Sequence, residues 1–427
     1  MANMACTGTF YILRAGFHRS AEGAISTSIS AVKPANSLGG LGSCKMLRSS
    51  QGFGKLRVGG HPSRSWTDKN MRVSVSLESV KKLTLQKKEA GVELGPDPAL
   101  SWYAGVDHIT LEDSPLQKHL PIINFAGIHG PERPRIVAQV GRALEEYTFF
   151  YAVNHGVNHV EKLERECKEF FELPLEEKDL YLSNPGFRNE GYYNFRVRST
   201  VDNPGFWKEI IRCKTLPLKI RDLTKWPSKV RQVIHDSGMD YAAFCQNVLT
   251  IISESLGLPP SYINDSITEP TAAFVPSYYH ARDWEKEGQP TPISAIPHTD
   301  ISMITIIAQE DLPHPALQYL VKGEWVNCRP VPDSLFVLTG DQLEVLTNGR
   351  YISGIHRVMA SKDRARFANV MGYGHSNSGH VSPAPDFIDD GHPRLYRDYV
   401  VEERVQHLYV GGILLDKEFY LIQEPSS

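Results

Sequence analysis

The hydrophobic pattern of the chain changes its period near Pro270. Before that point apolar residues recur at helical spacing. Ile136, Val140, Leu144 and Tyr147 predict a helix over 134–150, with Pro134 suited to its opening turn. Val160, Leu163, Cys167, Phe170 and Phe171 give an apolar face to a second, charged helix over roughly 158–172. A longer pattern covers about 229–256 and stops at Gly257, with Pro259 and Pro260 just beyond. Leu120–Phe125 and Tyr151–Gly156 read as short strands on either side of the first helix.

After Pro270 the apolar runs shorten to strand length: Ile293–Ile296, Met303–Ala308, Ala316–Leu320, Trp325–Cys328, Leu335–Thr339, Tyr351–Met359 and Phe367–Gly372. Turn-forming residues separate them, as at Lys322-Gly323 and Asn348-Gly349. That density of strands predicts an α+β, mainly β chain, a sandwich or barrel with helices stacked ahead of it. No repeat or heptad is visible. No apolar run approaches the ~20 residues that span a bilayer, so no membrane association is expected.

Charge divides the chain differently. Residues 1–66 hold eight Lys/Arg and one acid, Glu22, for a local charge of +7; with a total of −3, the remainder carries −10. An acidic body argues against nucleic-acid binding, which needs clustered basic side chains. The basic segment also holds ten serines, the composition of an organelle transit peptide. A leader without fixed structure over 1–80 is therefore expected, addressed to the chloroplast, with cytoplasm or mitochondrion as alternatives. The six cysteines form no Cys-x-x-Cys pair, against a disulfide scaffold or a thiolate zinc site.

The chemistry-bearing residues fall in the β-rich half. His298-Thr299-Asp300 places an imidazole and a carboxylate two residues apart, on one side of an extended backbone. His356 lies in an apolar strand pattern further on. Two histidines and a carboxylate are the facial ligand set of non-haem Fe(II), which leaves adjacent positions open. The same set serves hydrolytic zinc, although no His-Glu-x-x-His helix supports that metal here. Arg366, ten residues after His356, supplies a guanidinium whose fork suits a carboxylate.

With these residues in view, 276–373 resembles the catalytic core of plant-type 2-oxoglutarate/Fe(II) dioxygenases, the group of flavonol and anthocyanidin synthases and gibberellin oxidases. The likeness is carried by SYYH (277–280), HTDISMITII (298–307), GEWVNCRPVPDSLFVLTGDQLEVLTNGRY (323–351) and GIHRV (354–358). LPIINF (120–125), FFYAVNHGV (149–157) and FFELPLEEK (170–178) resemble that family's helical entry domain, so the likeness spans about 119–415. It implies a double-stranded β-helix, or jelly roll, with an N-terminal helical subdomain. The resulting division is 119–225 for the N-terminal domain, 229–258 for a linking helix, 270–375 for the catalytic domain and 376–427 for a C-terminal segment on the core.

By the same resemblance His298, Asp300 and His356 bind Fe(II), while Arg366 and Tyr279 hold the distal carboxylate of 2-oxoglutarate. O2 is the co-oxidant, with ascorbate as an auxiliary reductant. The implied reaction releases succinate and CO2 while a small organic molecule is hydroxylated or desaturated, by a protein expected to be a monomer. Two positions depart from the family pattern: Ala368 stands where Arg-x-Ser has its serine, and Ser277 where an asparagine is usual. Gly191–Arg196 and Trp207-Lys208 fall where the family lines its substrate mouth, with Arg196 or Arg198 available to a carboxylate. The rival readings are an oxygenase of this fold that uses no 2-oxoglutarate and a catalytically silent binding protein. A hydrolase is disfavoured, since no Gly-x-Ser-x-Gly elbow is present.

Overall fold

The computed structural model describes residues 12–19, 25–32, 114–183, 190–196, 207–283, 293–310, 316–411 and 418–421. The chain divides into two units, 1–67 and 68–427. In the first, β1 (Ile12–Arg19) and β2 (Ile25–Val32) form an antiparallel ladder. The rest of the leader expected over 1–80 lies outside the described residues.

The second unit opens with β3 (Ile122–Asn124), helix α1 (Arg133–Glu146), β4 (Phe149–Val153) and helix α2 (Val160–Phe171). A short α3 (Leu175–Asp179), strands β5 (Gly191–Asn194) and β6 (Glu209–Leu216), and the long α4 (Arg231–Ser255) follow, then α5 (Tyr262–Ser266). Eight strands carry the core: β7 (Pro270–Tyr279), β8 (Ile293–His298), β9 (Ile304–Gln309), β10 (Leu317–Val321), β11 (Glu324–Asn327), β12 (Ser334–Thr339), β13 (His356–Met359) and β14 (Arg366–His375).

These strands distribute between two sheets. The larger has the order β3-β4-β12-β9-β14-β7-β6-β5 and the smaller β11-β10-β13-β8. The chain passes from sheet to sheet along β7 to β14, with β10 and β11 as the one consecutive pair kept together. That winding is the double-stranded β-helix expected of the sequence. Period-two alternation explains its two cores. On β12, Leu335 and Val337 face the helices, whereas Phe336 and Leu338 face between the sheets. On β4, Phe150 and Ala152 join the helical side while Phe149 and Tyr151 fill the interior. Both faces are buried, which is why these strands read as unbroken apolar runs.

Helix α4 spans the outer face of the larger sheet and buries Val248, Leu249 and Ile252 completely. Truncating Leu249 to Ala there costs about 2–5 kcal/mol. Its end matches the sequence expectation: Gly257 adopts φ 78, its N–H meets Glu254 O at 3.0 Å, and Leu258 N–H meets Ser253 O at 3.0 Å.

Three boundaries differ from the sequence reading. Helix α1 stops at Glu146 rather than 150, because Thr148 turns into the left-handed region at φ 68 and releases Phe149 into β4. Of the run Tyr351–Met359 only His356–Met359 is strand. A six-residue helix, α6 (Asp341–Leu346), stands where no element was expected. Beyond β14 lie β15 (His380–Val381), β16 (Tyr399–Val400) and α7 (Val401–Gly411). Tyr396, Tyr399, Val405 and Tyr420 from this final stretch bury against Val345 of α6. Among the described residues no helix is long and apolar enough to cross a membrane.

Candidate metal and cosubstrate site

His298 closes β8 and His356 opens β13, and the two are direct cross-strand partners in the smaller sheet. Their rings lie 4.2 Å apart between centroids. Asp300, two residues past His298, brings its Oδ1 to 3.9 Å from each Nε2. These are the only His, Cys, Asp or Glu side chains among the described residues that gather closely enough to share a metal ion.

The surrounding residues orient the three groups. His298 Nδ1–H donates to Ile296 O at 2.7 Å, which leaves the Nε2 lone pair facing Asp300. Burial, and then His356, push the His298 pKa down to about 3, so the ring is a neutral ligand at pH 7. For Asp300 burial opposes ionisation. The two imidazoles and a hydrogen bond from Thr305 more than offset it, and the carboxyl sits below its usual range. Tyr319 stacks on His356 at 5.7 Å and 7°. Gly354 permits this: a Cβ there would overlap the Tyr319 ring.

Helix α6 ties the two ligand-bearing segments together. Backbone N–H groups of Asp341 and Gln342 donate to the carbonyls of Asp300 (2.7 Å) and Ser302 (3.1 Å), and Gly340 N–H donates to Met303 O at 3.0 Å. Gly340 is required by that approach, since a Cβ would overlap the Ser302 carbonyl. Glu344, on the same helix, accepts from Ser353 N–H at 2.7 Å, three residues before His356, and from the Tyr396 hydroxyl at 2.7 Å. Asp341 in turn accepts from Tyr420 at 2.7 Å, whose hydroxyl accepts from Arg404 Nε at 2.8 Å. Six residues are too few for a periodic signal, so this helix is not legible in the hydrophobic pattern.

Arg366 opens β14 directly opposite Tyr279 on β7. Its guanidinium carbon lies 5.2 Å from the Tyr279 ring centroid, and one terminal nitrogen donates to Gln309 Oε1 at 2.7 Å. The residue is 3% exposed and its Nε has no partner. Burial lowers the Arg366 pKa, with Tyr279 and Glu310 opposing. A buried cation with an unused donor suits an anion, and two imidazoles with one carboxylate suit ferrous iron. All five residues singled out from the sequence line one cavity of about 630 Å³.

The substrate-mouth expectation is met in part. Phe195 and Lys208 line the cavity, with Lys208 Nζ 3.4 Å from the Tyr279 hydroxyl. Arg196 instead stands over the Trp207 ring at 5.3 Å and 3.5 Å from Glu209, while Arg198 lies outside the described residues. Tyr192 is buried and donates to Glu209 at 2.6 Å, a packing role.

Residues 270–373 match the family model of the 2OG-Fe(II) oxygenase superfamily, and 120–229 match that of the non-haem dioxygenase in morphine synthesis N-terminal region. Flavanone 3-dioxygenase 2 of Oryza sativa subsp. japonica is 31% identical over 66% of this chain and 82% of its own. The chain is a 2OG-Fe(II) oxygenase. Jasmonate-induced oxygenase 4 of Arabidopsis thaliana is 32% identical to this oxygenase over 66% of the chain and 80% of the relative. The crystal structure of JOX2 in complex with 2OG, Fe and JA superposes with a TM-score of 0.60 at 24% identity, over 72% of this oxygenase and 92% of that chain. Fe(II) and 2-oxoglutarate are therefore the cofactor and cosubstrate of this enzyme, and the plant relatives place it in the plant-type group.

Proposed function

We propose that this oxygenase couples the oxidative decarboxylation of 2-oxoglutarate, to succinate and CO2, to hydroxylation or desaturation of a small organic metabolite. The observation that carries this reading is the pairing of two sites in one cavity. His298, Asp300 and His356 offer three ligands on one side, and the Arg366–Tyr279 pair waits for a carboxylate further along the same wall.

Iron with 2-oxoglutarate supplies the oxidising power when bound. The protein's own contribution is placement. His298 presents a neutral nitrogen donor, its tautomer fixed by Ile296 O, and His356 presents a second imidazole nitrogen beside it. Asp300 contributes the single negative charge. Arg366 and Tyr279 take the distal carboxylate of the cosubstrate and so set which end faces the metal. Apolar walls from Ala295, Leu317, Val358 and Ile307 keep bulk water from the reacting groups.

Purified protein given Fe(II), 2-oxoglutarate and a metabolite extract should release succinate in proportion to substrate consumed. Substrate oxidation without succinate would point to the same-fold oxygenases that dispense with 2-oxoglutarate, and failure to bind Fe(II) would point to a silent binding protein. We further propose delivery to the chloroplast, on the basic, serine-rich composition of residues 1–66. A fluorescent fusion of residues 1–80 that stays in the cytosol would refute it.

A further inference from the structure

The rung that holds Tyr279 and Arg366 has a third member. Glu209 opens β6 opposite Tyr278, so the residue before it, Lys208, falls beside Tyr279. The direction of the lysine is settled by its neighbour. Glu209 is buried on the helix-packed face of the sheet, where Lys178 Nζ, the Tyr192 hydroxyl and His280 Nε2 meet its carboxylate at 2.7, 2.6 and 2.9 Å. Successive residues of an extended chain point to opposite faces, which turns Lys208 into the cavity. Two main-chain bonds fix this stretch. Phe195 N–H donates to Lys208 O at 3.0 Å, and Trp207 N–H donates to Ser294 O at 2.9 Å, tying it to β8, whose far end is His298.

Lys208 Nζ then lies 3.4 Å from the Tyr279 hydroxyl and 5.2 Å from the centroid of its ring. Arg366 Cζ lies 5.2 Å from the same centroid, and the phenol stabilises the charged guanidinium. An ammonium and a guanidinium carry donors and no acceptor. The Tyr279 oxygen is therefore the acceptor towards Lys208, and neither cation can take the phenol proton. Tyr279 is 7% exposed, and among the described residues its O–H meets no acceptor. A buried donor without an acceptor is costly, so it marks where one is expected. After burial and the triad's own charges, the Lys208 ammonium also helps to lower the pKa of His298 and Asp300, so its field reaches the metal end as well.

We propose that Lys208 is a positioning residue for the cosubstrate: by donating to the Tyr279 oxygen it turns the phenol proton towards the distal carboxylate of 2-oxoglutarate. This deepens the oxygenase reading above and rests on it. Arg366 supplies the charge for that carboxylate, Tyr279 a second donor, and Lys208 the aim of that donor.

The test uses the full-length protein with Fe(II) under anaerobic conditions, where dissociation constants are read from the charge-transfer absorbance of the bound 2-oxo acid. Tyr279→Phe should weaken 2-oxoglutarate about 10- to 100-fold, the loss of a hydrogen bond to a charged group. Lys208→Met should weaken it about 3- to 10-fold, the loss of an ordinary bond that only aims the hydroxyl. Lys208→Arg keeps a donor and should stay within about threefold of the wild type. The double variant decides: Tyr279→Phe leaves no hydroxyl to aim, so adding Lys208→Met to it should cost nothing more. Pyruvate, with the same 2-oxo acid head and no distal carboxylate, should bind Lys208→Met as well as it binds the wild type. Additive losses in the double variant, or pyruvate weakened as much as 2-oxoglutarate, would show Lys208 acting through its charge at the metal end and would overturn the proposal. Unchanged 2-oxoglutarate affinity in Lys208→Met overturns it too, with the oxygenase reading still standing. A wild-type protein that binds Fe(II) but no 2-oxoglutarate overturns both.

Discussion

Moving one hydroxyl between positions 277 and 368 probes how the cosubstrate end of the cavity is built. Ala368 stands where the family pattern has a serine, yet Ser277 is its direct cross-strand partner. Opposed residues in an antiparallel pair have Cβ atoms about 4.5–5.5 Å apart, so a hydroxyl carried by Ser277 reaches much of the same space. Both side chains line the cavity one row from Arg366 and Tyr279. Ser277 Oγ donates to Val275 O at 3.1 Å and must turn about χ1 to serve a ligand. A hydrogen bond to a charged group contributes about 1.5–3 kcal/mol, which is about 10- to 100-fold in a dissociation constant. Ser277→Ala should weaken 2-oxoglutarate by that factor, read anaerobically from the charge-transfer absorbance of the Fe(II) complex and checked by calorimetry. Adding Ala368→Ser to that variant should restore affinity to within about threefold, whereas Ala368→Ser alone should gain little. Unchanged affinity in Ser277→Ala, or no recovery in the double variant, would refute the idea that the hydroxyl has crossed the ladder.

Three other outcomes follow from the same geometry. His298→Ala and Asp300→Ala should each abolish turnover and lower Fe(II) stoichiometry measured by atomic emission; wild-type rates in either would remove the site. Glu344→Gln should speed Fe(II) loss to a chelator, since the Ser353 N–H that steadies the approach to His356 loses a charged acceptor; loss at the wild-type rate counts against α6 as the clamp. Glu209 gives a pH signature: burial would raise its pKa, but hydrogen bonds from His280, Lys178 and Tyr192 bring it from 4.5 down to about 2. The stability it contributes is present above pH ~4.5 and lost as the pH falls towards 2. Glu209→Gln also strands the buried Lys178 ammonium, 2.7 Å away in the native protein. Its Tm deficit should therefore be large at pH 7 and shrink as the pH drops below ~4.5. A deficit constant with pH would refute the assignment.

The sequence made visible what depends on period and on residue type. Alternating strands, the stop at Gly257 and the three ligand types could all be read along the chain, because each is written in neighbouring residues. Arg366 and Tyr279 are legible through resemblance, and in the structure the two share a rung of the β7–β14 ladder. What stayed hidden depends on chain segments meeting in space. The clamp of α6 on the Asp300 loop consists of main-chain bonds, which no side-chain pattern announces. The same holds for the approach of Lys208 to Tyr279, which depends on the register between β6 and β7. The end of α1 was misplaced because Phe149 and Phe150 suit a buried helix as well as a buried strand, and the left-handed Thr148 that decides between them carries no distinctive residue type.

The hydroxyl of Tyr420 has a consequence beyond local packing. It anchors Asp341, at the head of the short helix whose amides grip the aspartate's loop. On the proposed site, metal retention is thereby linked to residues 418–421. A protease clipping the chain ahead of residue 418 would leave every iron ligand intact and still loosen the grip on the ion, so that nicked molecules fall out of the active pool before they unfold.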